Sequence, residues 1–145
     1  MRNEKRIPII IDFFKKNPEV LNKFLGTDGN TEEIIILLEQ FWKDYPDQRL
    51  GQLLINHEVI SNGFIWNIEE VDWLIENNYF KFEELNFWGV NYNKEGKKLP
   101  KTKFKLLKDL DLEHIKAIKE YFKEKNLYIN LKYTEYFDKR IKENK

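Results

Sequence analysis

The sequence predicts an α+β protein: a helical N-terminal half packed on a small antiparallel sheet with β-β-α-β-α order. Three observations predict it. Apolar residues recur at helical spacing through the first 85 positions, and from residue 86 onward three short segments alternate with period two. The chain has 145 residues, 41% hydrophobic and 15% aromatic, enough to bury a core without disulfides or metal. The expected organisation is one domain over residues 1–145, with a helical part (1–85) and a small α+β part (86–145) that share a core.

The first helix is expected over residues 8–25, carrying Ile10, Phe13, Phe14, Val20, Leu21, Phe24 and Leu25, with Pro18 able to divide it. Residues 26–30 read as a loop. Thr31 is the expected N-cap of the next helix, with Glu32 and Glu33 in a first turn that favours negative charge. That helix has a wide apolar face from Ile34 to Trp42 and stops at Pro46. Asp47 is expected to cap a third helix from Gln48 to Asn56, in which Leu50, Leu53 and Leu54 point inward. Gly51 within it costs about 1 kcal/mol relative to alanine, which implies another element packed close against it. Ser61-Asn62-Gly63 is a turn, Phe64 to Trp66 is short and extended, and Glu69 to Asn78 is a fourth helix.

Phe87–Tyr92 and Lys101–Leu107 are the expected hairpin strands, joined by a loop over Asn93–Lys98. In the second strand Lys101, Lys103 and Lys105 form the solvent face, while Thr102, Phe104 and Leu106 point to the core. Asp111 caps a helix that reaches Lys125. Leu127–Tyr133 alternates as a third strand, and Thr134 opens a short final helix with Tyr136, Phe137 and Ile141.

Residue counts limit the chemistry. With no cysteine, thiolate catalysis and cysteine metal sites are excluded. Ser61 is the single serine and lies in a turn signal, not a nucleophile elbow. His57 and His114 are the two histidines, and no HExxH pair is present. Asp109, Asp111, Glu113 and His114 are better explained as a capped helix start than as a metal cluster. Gly89…Gly96-Lys97 fails the spacing of a phosphate loop. No apolar run is long enough for a membrane span, and the run Ile7–Ile11 is too short for a signal-peptide core. The expected setting is the bacterial cytoplasm, with no cofactor, no metal and no enzymatic activity.

The neutral total of 25 basic and 25 acidic side chains is a cancellation. Residues 1–90 hold 9 basic and 16 acidic groups, a net of −7, and residues 91–145 hold 16 and 9, a net of +7. The hairpin lysines fit three roles: a solvated sheet face, a surface that meets the acidic half within the chain or head-to-tail in a homo-oligomer, or a nucleic-acid contact. For the last role Lys97, Lys98, Lys101, Lys103 and Lys105 supply charge and Trp88, Tyr92 and Phe104 supply stacking surface, against which stands the expectation that Phe104 points into the core. Arg49, Gln52 and Asn56 lie at i, i+3 and i+7, a polar stripe able to hold a phosphate or carboxylate of a small molecule or nucleotide. The competing role for Arg49 is an ion pair with a nearby acid such as Asp44 or Asp47. His114 completes the set of candidate binding residues.

Pro46-Asp47-Gln48-Arg49-Leu50-Gly51-Gln52, preceded by Phe41-Trp42 and followed by the acidic Trp66–Leu74 segment, resembles a pattern in small uncharacterised phage and prophage proteins. Trp88-Gly89, a glycine-containing hairpin, Leu99-Pro100, Thr102 and then Leu107 to His114-Ile115 resemble a strand-hairpin-helix pattern of phage reading frames. The resemblance spans roughly residues 41–118 and transfers no catalytic residue. It implies a phage-type origin, which fits the low-G+C signature of 21 lysines against 4 arginines. The implied role is non-enzymatic binding to a host or defence-system protein. A small-molecule or nucleotide binder and a nucleic-acid binder remain the alternatives.

Overall fold

Each helix starts and ends where local chemistry permits. The computed structural model describes residues 4–26, 30–59, 65–93 and 95–143, which form an α+β fold with eight α-helices and one two-stranded sheet. They fall into two compact units, 1–81 and 82–145. Among the described residues no helix is long and apolar enough to cross a membrane.

The first unit is helical. α1 (Ile7–Lys16) and α2 (Pro18–Leu25) are the expected first helix cut at Pro18, where the missing N–H is harmless because it lies at a helix start. Between them the Asn17 side-chain amide donates to the Phe13 carbonyl at 3.0 Å, and Gly26 ends α2 in the left-handed region at φ 69°. α3 (Thr31–Phe41) is capped by Asn30 rather than Thr31: the Asn30 side chain accepts from the Glu33 N–H at 3.3 Å. The helix also ends earlier than expected, at Phe41, and tightens into a 3₁₀ turn over Trp42–Asp44. That turn buries Trp42 completely and lets its indole N–H donate to the Gln48 carbonyl at 3.0 Å.

α4 (Leu50–Asn56) begins three residues beyond the expected Asp47 cap, because Gln48 is held by Trp42 and Arg49 is extended at the N-cap position. The Gln52 side chain accepts the Arg49 N–H at 3.1 Å. α5 (Glu70–Glu76) supplies the rest of the cap: fully buried Glu70 accepts the Leu50 N–H at 3.3 Å, which places a carboxyl oxygen at the positive end of α4. The expected close approach at Gly51 is present. A Cβ there would lie 2.3 Å from the Ile65 carbonyl oxygen. The Ser61–Phe64 stretch lies outside the described residues.

The second unit holds the sheet. After α6 (Phe82–Leu85) comes β1 (Phe87–Tyr92), paired antiparallel with β2 (Lys98–Leu106). The Asn93 side chain closes the hairpin by accepting the N–H groups of Glu95 and Lys97, with Gly96 at φ 79°. α7 (Leu112–Glu124) and α8 (Leu131–Glu143) follow. The order after α6 is therefore β-β-α-α. The expected third strand at Leu127–Tyr133 is absent: residues 127–130 are irregular and α8 starts at Leu131, three residues before the expected Thr134.

The cause lies at both ends of that segment. Asn126, at φ 52°, closes α7 with two reversed hydrogen bonds, Asn126 N–H to Lys123 O and Leu127 N–H to Phe122 O. Asn130 then accepts the Lys132 N–H and opens α8. Three residues between two such stops cannot build a ladder.

Leu107, Leu110, Ile115, Ile118, Tyr136 and Phe137 form the buried core of this unit. Tyr136 ties it to the chain entering α7: its hydroxyl donates to Leu107 O at 3.1 Å, while Arg140 donates to the Tyr136 hydroxyl at 2.7 Å and to Leu110 O at 2.8 Å. Burial pushes the Tyr136 hydroxyl above its ordinary value of 10.0, against the opposing pull of Arg140. An unfolded chain ionises this tyrosine more readily than the folded one. The stability it contributes is thus complete below pH 10 and is lost as pH rises through the folded value. Urea titrations between pH 8 and 11 should show stability falling above pH 10, and less steeply in Tyr136→Phe. Identical slopes would contradict the assignment.

Candidate functional site

In the second unit, β1 and α7 enclose an open groove of about 380 Å³, lined on one side by Trp88 to Tyr92 and on the other by His114, Ala117, Ile118, Tyr121 and Phe122. Its size lies within the range of ligand pockets. Trp88 anchors its inner end, with its ring centroid 5.6 Å from Phe122, 5.9 Å from Tyr133 and 5.5 Å from Phe137. The helical wall is set by the Asp111 cap, whose carboxylate accepts the His114 N–H at 2.7 Å. From that start, His114, Ala117 and Tyr121 fall at i, i+3 and i+7 on one face. Tyr92 and Tyr121 are 59% and 53% exposed, so both rings remain available to a partner.

The hairpin faces are the reverse of the expectation. Trp88 pairs with Lys105, Val90 with Lys103 and Tyr92 with Lys98, and directly opposed residues share a sheet face. Lys98, Lys103 and Lys105 therefore stand on the groove face, and Phe104 stands on the open face, 48% exposed, against Gly89. Alternation separates two faces without saying which one a helix covers. Here the bulk of Trp88, not the apolarity of Phe104, decides it. Between the Val90–Lys103 and Tyr92–Lys98 pairs the register shifts, so β2 bulges around Pro100, and the Thr102 hydroxyl donates to the Asn91 side chain at 2.5 Å.

Of the candidate residues, Trp88, Tyr92 and His114 come together in the groove, with Lys98, Lys103 and Lys105 on its face. Lys97 is exposed in the turn and Lys101 is exposed along β2. The polar stripe belongs to the first unit and serves its fold. Arg49 pairs with Glu69 at 2.8 Å rather than with Asp44 or Asp47, Gln52 holds the helix start, and Asn56 donates to the Gln48 side chain at 3.4 Å. His57, also in that unit, stacks on Phe41 at 5.0 Å. Among the described residues no group of three or more histidine or acidic side chains is placed to hold a metal.

Sequence reasoning missed Gly89, Ala117 and Tyr121. One signal was present: Ala117 is the single alanine of the chain and sits midway between His114 and Tyr121. A methyl group there leaves the depression that a lysine or leucine would fill. Comparison with family models, with curated proteins and with solved structures found no match to the chain.

Proposed function

We propose that this is a phage- or prophage-type protein that acts without catalysis, by binding a host or defence-system protein through the groove between β1 and α7. The observation that carries the proposal is the convergence of Trp88, Tyr92, His114 and Tyr121 around Ala117. Exposed aromatic side chains in a concave apolar setting are what protein contacts are built from. The small volume suits an inserted segment of a partner.

A photo-crosslinking side chain at position 121, introduced into the 145-residue chain in a low-G+C bacterial host, tests this. The expected result is a discrete protein adduct that disappears when Ala117→Leu fills the groove. Ala117 is solvent-exposed and leucine is a good helix former, so that variant is expected to keep its stability within about 0.5 kcal/mol. An adduct of equal yield in the filled variant, no adduct, or turnover of nucleotides or nucleic acid by the purified protein would overturn the proposal.

A further inference from the structure

The groove also runs along a sheet edge. The Leu107 N–H donates to the Asn86 carbonyl at 2.9 Å, so these two form a hydrogen-bonded pair at the start of the ladder. Bonded and non-bonded pairs alternate in an antiparallel ladder. Trp88–Lys105 and Val90–Lys103 are then bonded pairs, and Phe87–Leu106 and Gly89–Phe104 are non-bonded ones. The backbone groups of Phe87 and Gly89 accordingly point away from β2, toward the other edge of β1. An independent contact agrees: the Tyr133 hydroxyl on α8 donates to the Phe87 carbonyl at 3.2 Å.

Among the described residues no strand pairs with that edge. Gly89, on that edge, lines the groove. An unpaired edge beside an apolar wall is a template for one more strand.

We infer that the groove takes its partner as an extended, acidic peptide segment that adds a strand to β1 at Gly89. This rests on the binding proposed above and names its mode. Alternate side chains of the added strand would face Ala117 and Tyr121, and the intervening ones would face solvent beside Asn91. The charge follows from Lys98, Lys103 and Lys105 on the groove face and from the unit's 16 basic against 11 acidic side chains.

The test selects a random heptapeptide library against the intact chain and measures the enriched peptide by fluorescence anisotropy. Apolar residues at alternate positions and a net negative charge are expected. N-methylation at every second residue of the peptide should weaken binding about tenfold, with the intervening positions unaffected. Gly89→Pro removes the outward N–H and should weaken binding comparably, with amide-exchange protection across α7 and α8 retained to show that the fold survives.

A uniform effect of N-methylation, or none, overturns strand addition but leaves groove binding intact if Ala117→Leu still abolishes it. Absence of the crosslinked adduct from the chain with Ala117 in place, or its survival in Ala117→Leu, sinks groove binding itself. Preferential binding of a dodecathymidine oligonucleotide, lost on Lys103→Gln and Lys105→Gln, would assign the face to nucleic acid instead. Dimerisation abolished by Gly89→Pro would assign the edge to a second copy. Either result overturns the peptide.

Discussion

Gly51→Ala is expected to destabilise the protein by about 2–3 kcal/mol, although alanine is ordinarily the better helix former. The reversal follows from what stands in the way. A Cβ on Gly51 would lie 2.3 Å from the Ile65 carbonyl oxygen and 2.9 Å from its carbon. Both are backbone atoms and cannot rotate aside. To accept the methyl group, α4 must lift away from the chain at Ile65, whose side chain is itself buried. Lifting α4 also strains the Glu70 contact at its N-terminus and the Arg49–Glu69 pair. Urea unfolding measures the effect. An unchanged or higher midpoint would show that the Ile65 segment yields without cost.

Phe137→Ala is expected to cost about 3–5 kcal/mol and to unfold the second unit. Phe137 is fully buried, and its ring lies within 6.4 Å of those of Trp88, Tyr133 and Tyr136. The unit spans residues 82–145, and a core of that size rarely supplies more than about 3–5 kcal/mol in total. Amide exchange should show protection lost across β1, β2 and α7. Retained protection there would mean that the surrounding rings close over the cavity. Phe137→Leu, which keeps most of the volume, should retain the fold and place the effect on packing.

Helices were legible wherever an apolar stripe met a distinctive capping residue, as at Asp111, and at Pro18 the sequence allowed the division that the structure makes. Starts with competing caps were less legible. Neighbouring residues with equal capping chemistry, Asn30 and Thr31, differ only in which one the incoming chain leaves extended. The start of α4 was decided by a bond from the Trp42 indole to Gln48, which no capping residue announces. The missing third strand has a similar origin: period two at Leu127, Ile129 and Leu131 is real, but Asn126 and Asn130 commit the flanking backbone to other shapes. The groove was half legible. Trp88, Tyr92 and His114 were marked by residue type, whereas Gly89, Ala117 and Tyr121 matter for backbone access and shape, which composition does not report.

The two sides of the hairpin also differ in whether they can propagate a sheet. β2 carries Pro100, a register shift and a row of lysines, all of which discourage further pairing on its outer side. On β1, Tyr133 already occupies the carbonyl of Phe87, which leaves a short stretch near Gly89. A ribbon blocked along one side and open over a few residues on the other can accept one guest but cannot pass the pairing on. A strand added at Gly89, as proposed above, would bind one to one, and the proline, the register shift and the lysines of β2 oppose growth into filaments.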